Sequence, residues 1–206
     1  MVIRATKLRV GEAAGDRAGE VSFEVATGEM RLLVGGSSEA VGVVMKRLMA
    51  QRAAAKGDQG ESGQRDAVGY VSGEVGGRYE GLSVERMLGY AAELGLREEP
   101  VQERGERVEA MLTTLGLSEV RARRLREIDP LARWKVELGE CALLGARDWV
   151  VVIEGDEAAR KAKLEVLKAV GRGGAVLVIS SSAKGLEGFD VVGGEAEGID
   201  AAGEVA

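Results

Sequence analysis

Apolar and polar residues change period several times along the chain, and the changes mark its elements. Val2 to Val10 mixes apolar with basic residues and ends at Gly11, which predicts an edge strand followed by a polar loop over residues 12–19. Val21, Phe23 and Val25 then alternate with Ser22 and Glu24, Thr27-Gly28 supplies turn chemistry, and Leu32-Leu33-Val34 is a short continuous apolar run. That is strand, turn, buried strand. Gly35-Gly36-Ser37-Ser38 follows, and after it Val41, Val44, Met45, Leu48 and Met49 recur at helical spacing. The second strand therefore runs through a glycine loop into a helix, the context of a phosphate-binding loop.

Downstream, residues 56–63 form a glycine-rich polar loop and residues 67–71 a short strand. Ser83 is placed to cap a helix that includes Tyr90. Val101, Val108, Met111, Leu112 and Leu115 stripe one face of a further helix, with Glu and Arg on the other. Arg121, Arg123, Arg124 and Arg126 read as a solvated helix face. Pro130 suits the first turn of a helix over residues 131–146, residues 148–154 begin with an apolar strand, and residues 157–170 are an Ala, Lys and Leu-rich helix. Residues 175–179 are another buried strand, and the acidic Gly and Ala-rich residues from about 193 onward form a loose tail.

Composition narrows the chemistry. At 206 residues the chain can bury a sizeable core, and 3% aromatic residues make that core aliphatic. A net charge of -6 offers no broad basic field for nucleic acid. No apolar run approaches the roughly 18 residues of a membrane span, so a cytoplasmic location without direct membrane insertion is expected. Cys141 is the single cysteine, which excludes an intrachain disulfide, and its apolar neighbours predict a small buried thiol. Histidine is absent, which removes His-dependent triads and His metal sites.

The order of these segments resembles the ATP-binding subunits of ABC transporters over nearly the whole chain. The residues that carry the resemblance are the Val21 to Glu29 hairpin, the glycine loop after Val34, Tyr70-Val71-Ser72, the segment from Gly81 to Tyr90, and the apolar strand ending at Glu154. The resemblance implies an α/β P-loop fold, a mixed sheet flanked by helices, with residues 1–78 and 131–206 as core and 79–130 as a helical subdomain.

It also implies where the chemistry would sit. The phosphate-loop positions are Gly35, Gly36, Ser37, Ser38, Ala40, Val41 and Gly42, with Val41 in the place of the lysine and Gly42 in that of the magnesium-binding hydroxyl. Glu39 adds a negative charge inside the loop. Gly73 stands at the glutamine position, Glu154 at the aspartate, Gly155 at the catalytic glutamate and Ser181 at the switch histidine. A shifted register would use Asp156-Glu157 instead. Residues 128–133 replace the signature motif without its Ser-Gly-Gly-Gln core.

Phosphoryl transfer rests on positioning and charge, so the expectation is a chain without catalytic residues, without a bound metal, and with at most weak ATP binding by the loop backbone. The implied role is a non-catalytic, regulatory or structural subunit, peripheral at the inner face of a membrane through a homologous ATP-binding subunit, a permease subunit, or both. Two alternatives stand beside it: a working ATPase that uses displaced carboxylates, and a soluble interaction protein that kept the fold.

Overall fold

A computed structural model describes residues 2–10, 19–34, 46, 68–73, 79–171 and 173–191. The phosphate-loop positions 35–42 and the tail from 193 lie outside the described residues, and of the helix expected after the loop only Lys46 is described, helical and exposed.

The period-two segments form two sheets. Strands β1 (Val2–Val10) and β2 (Gly19–Ala26) pair antiparallel, with an irregularity between Ala5 and Leu8. Strands β3 (Met30–Val34), β4 (Val68–Val71), β5 (Asp148–Val152), β6 (Val176–Ser180) and the two-residue β7 (Asp190–Val191) form a second sheet in the order β4-β5-β6-β3-β7. Every described pair in it is parallel. The mixture of strand directions expected from the sequence is thus distributed over two sheets. Thr27-Gly28 makes the turn between them, with Gly28 at a φ of 85°, a conformation glycine adopts without steric cost. The Gly28 amide donates to the Gly174 carbonyl at 3.0 Å, tying the turn to the approach of β6.

Alternation along the parallel strands sorts their side chains onto two cores. Leu32, Val151, Val176 and Val178 face one cluster, which the helices cover. Leu33, Val150, Leu177 and Ile179 face the other, where Ile3, Phe23 and Val25 of the hairpin side meet them. Strands β5 and β6 are consequently apolar on both faces, the reason their sequences run Trp-Val-Val-Val and Val-Leu-Val-Ile rather than alternating with polar residues.

Four helices complete the described fold: α1 (Val84–Gly95), α2 (Val101–Thr114), α3 (Pro130–Leu143) and α4 (Glu157–Val170). Their starts follow their capping residues. Ser83 accepts from the Arg86 amide, Asp129 from the Ala132 amide with Pro130 in the first turn, and Asp156 from the Ala159 amide.

Three expectations from the sequence are corrected. Val101, assigned to the apolar stripe of α2, is 77% exposed, because α2 buries only Val108 and Leu112 along its length. The arginine cluster does not lie on a helix face: two 3-10 turns, Ser118–Val120 and Leu125–Glu127, carry that segment. Within it Arg121 bridges Glu85 of α1 at 2.5 Å and Glu109 of α2 at 3.0 Å. Helix α3 ends at Leu143 rather than at residue 146, where Gly145 turns the chain at a φ of 80°.

Candidate functional site

Parallel strands in one sheet deliver their carboxyl ends to one edge, the usual location of ligand sites in open α/β folds. Strands β4, β5 and β6 bring Gly73, Glu154, Gly155 and Ser181 to that edge, so the structure assembles four positions spread over more than a hundred residues.

Each has a partner within the protein or carries no side chain. Glu154 Oε1 accepts from the Ser181 amide at 2.8 Å and Oε2 accepts from Ser181 Oγ at 2.5 Å. Gly155 adopts a φ of 123°, and a Cβ there would meet the Ala159 methyl at 3.0 Å. Gly73 also has positive φ, at 79°, and a Cβ there would lie 3.4 Å from the Trp134 ring. Of the two residues of the shifted register, Asp156 caps α4 and Glu157 pairs with Lys161 at 2.9 Å.

The surrounding elements supply residues that no sequence motif singled out. Helix α3 places Glu137 so that Oε2 accepts from the amides of Ser72 at 3.0 Å and Gly73 at 2.6 Å, fixing the exit of β4. One turn earlier, fully buried Trp134 donates its indole N–H to the Val152 carbonyl at 3.2 Å. Helix α4 directs Lys163 back over the Trp134 ring, 5.9 Å from its centre, with Nζ donating to the Glu154 carbonyl at 2.7 Å. Arg160, 8% exposed, donates to the carbonyls of Gly155 and Lys184 and so links the loops after β5 and β6. The signal for Glu137 is its spacing: with Trp134 and Cys141 it makes an i, i+3, i+7 stripe, an acid on a packed helix face.

Electrostatics at this edge favour neutral or internally paired groups. Desolvation lowers the pKa of Lys163, opposed by the charge of Glu154. Burial raises that of Glu140, and the neighbouring Glu137 adds to the rise. Burial, with Glu140 next, pushes the Cys141 thiol up to about 12, although its Sγ donates to the Tyr70 carbonyl at 3.5 Å. The thiol expected to be buried is attached to a residue of intermediate exposure, and it is protonated at neutral pH. Among the described residues no cluster of three His, Cys, Asp or Glu side chains is arranged to hold a metal ion. Both cations, Lys163 and Arg160, donate to backbone carbonyls.

Solved structures share this architecture. One is a transporter described as being of the metal-chelate ABC type in an inward-facing conformation, at 11% identity and a TM-score of 0.64, covering 93% of this chain and 79% of that one. Another is an ATP-binding subunit of an ABC transporter, at 19% identity and a TM-score of 0.62, covering 93% and 85%. A third is cbiO1 from Clostridium perfringens, part of the ABC transporter complex cbiONQ, at 14% identity and a TM-score of 0.58, covering 87% and 77%. No protein-family model and no curated protein matches the chain. The fold is that of the ATP-binding subunits of ABC transporters, an α/β fold of the P-loop ATPase type.

Proposed function

We propose that the chain is a non-catalytic subunit with a structural or regulatory role in a transporter-type complex. The observation that carries this reading is the pairing of Glu154 with Ser181: the carboxylate at the end of β5 accepts two hydrogen bonds from within the protein, and Gly155 beside it offers no base. Both oxygens of the carboxylate are thereby engaged by donors of the protein itself. The identities of Val41, Gly42, Gly73 and Ser181 support the same conclusion, since none supplies the charge or the proton-accepting group that the resemblance places there.

Its partners are a homologous ATP-binding subunit, a membrane permease subunit, or both. The membership of the structural neighbours in ABC transporters supports this, and no helix among the described residues is long and apolar enough to cross a membrane.

Thermal unfolding with and without millimolar Mg-ATP tests the reading. A ligand present at a hundredfold excess over its Kd stabilises the native state by about 2.7 kcal/mol, a rise of roughly 5–10 °C in Tm for a chain of this size. We expect no such rise and no phosphate release. Val41→Lys should not confer ATPase activity, because the positions at Gly73, Gly155 and Ser181 still lack their groups. Phosphate release by the wild-type chain alone would overturn the assignment.

A further inference from the structure

The ladder between β4 and β5 ends at Val71 and Val151, and the amides of Ser72 and Gly73 lie beyond it. A side chain takes them in place of a strand: Glu137 Oε2 accepts from both, at 3.0 and 2.6 Å. A charged acceptor holds an amide more strongly than a neutral one. The hold on this exit therefore depends on the charge of Glu137.

A second acid stands beside it. Glu140 lies three residues on along α3, both side chains are half-buried, and like charges at that spacing repel. Among the described residues no donor reaches the Glu140 carboxylate, and the cations of the packed elements are engaged elsewhere. Arg133 donates to the carbonyls of Ile128 and Arg126, Lys163 of α4 to that of Glu154, and Arg86 of α1 to the Tyr90 hydroxyl. Arg121, beyond α2, pairs with Glu85 and Glu109, and Lys135 points to the turn at Gly116. On the side of β4 the neighbour is the Cys141 thiol, protonated and donating to the Tyr70 carbonyl. Burial, and after it the charge of Glu137, raises the pKa of Glu140 above its ordinary 4.5. The native state thus keeps a proton there that the unfolded chain has released. The linked stability is complete below 4.5 and is lost as pH rises through the raised value.

We propose that Glu137 and Glu140 form a proton-operated latch on the exit of β4: a first proton, taken by Glu140, tightens the hold of Glu137 on Ser72 and Gly73, and a second, taken by Glu137, releases it. The order follows from the bonding. Two amides stabilise Glu137 as an anion and nothing comparable stabilises Glu140, so Glu140 protonates first and its like charge disappears while Glu137 keeps its own. The hold on β4 therefore passes through a maximum as pH falls. The latch does not depend on the proposed function, since neither acid takes part in it.

Amide hydrogen exchange of the full chain, resolved by NMR and corrected for its intrinsic pH dependence, is the test. Val150, buried in β5, serves as the reference for global opening. As pH falls from neutral, protection of Ser72 and Gly73 should first rise roughly twofold, the scale of removing a like charge one turn away. It should then fall by about tenfold, the difference between a charged and a neutral acceptor. Val150 should show no such maximum. Glu140→Gln should have the raised protection already at neutral pH and keep only the fall. Glu137→Gln should lack the protection throughout and bring the midpoint of Glu140, read from its carboxyl ¹³C shift, down toward 4.5. The same ¹³C titration of the wild type must place the midpoint of Glu140 above that of Glu137, which keeps the proposal falsifiable if a variant does not fold. Protection without a maximum, a profile shared with Val150, a reversed order of midpoints, or a Glu140→Gln profile identical to the wild type would overturn the latch.

Discussion

The carboxyl edge of β4, β5 and β6 and the turn that follows α2 both gather charged residues, yet they treat them differently. At the strand ends the charges are spent on the backbone: Glu137 on two amides, Lys163 and Arg160 on carbonyls, Glu154 on one serine. In the turn Arg121 is spent on other charges, Glu85 and Glu109, with side chains 38%, 49% and 53% exposed. Water and salt can replace the second kind of partner but not readily the first. The same residue types thus organise one region and merely decorate the other.

Substitutions that probe this difference should fall in a definite order. Trp134→Ala removes a fully buried ring that backs Gly73 and carries Lys163, and the expected loss is about 3–5 kcal/mol in urea or thermal unfolding. Next comes Glu137→Ala. It strips two amides of their acceptor, so a loss of roughly 1–3 kcal/mol is expected, with faster hydrogen exchange at Ser72 and Gly73. Unchanged exchange there would show that water replaces the carboxylate, and the contrast between the regions would collapse.

Cys141 gives a pH test of the strand edge. Its ordinary thiol value of 9.0 is pushed up to about 12, so alkylation of the native protein should stay slow until the pH approaches that value. Over the same range the native state binds the proton that the unfolded chain has released. The linked contribution therefore lowers stability as pH rises from about 9 toward about 12. Cys141→Ala should remove that part of the slope. The smallest effect belongs to Arg121→Ala: a Tm change of a few degrees at most, vanishing in about 1 M salt. A persistent loss in salt would move Arg121 into the class of Glu137.

Much of the frame is legible in the sequence because it depends on local signals. Helix α4 covers residues 157–170, the Ala, Lys and Leu-rich stretch, Ser83 caps α1, and Thr27-Gly28 makes the turn it promises. Val101 misleads because periodicity states which face could be buried and not how far a neighbour extends along it. The site is legible only as positions. Glu154 and Ser181 are 27 residues apart and Glu137 and Gly73 are 64 apart, and no local pattern announces that they share hydrogen bonds. Trp134 stands out more, as one of two tryptophans in a chain poor in aromatics.

The pairing of β3 with β6 sets a schedule for biosynthesis. Met30 finds its partner at Val176, so the strand that emerges early must wait for nearly the whole chain before its ladder can close. Until then Leu32 and Leu33, destined for opposite cores, lack the neighbouring strand whose Val176, Val178, Leu177 and Ile179 share those cores. Closing so long a loop costs entropy before any pairing repays it. Refolding should accordingly be slow beside that of a helical bundle of equal size, and a nascent chain halted before residue 176 should be a substrate for chaperones.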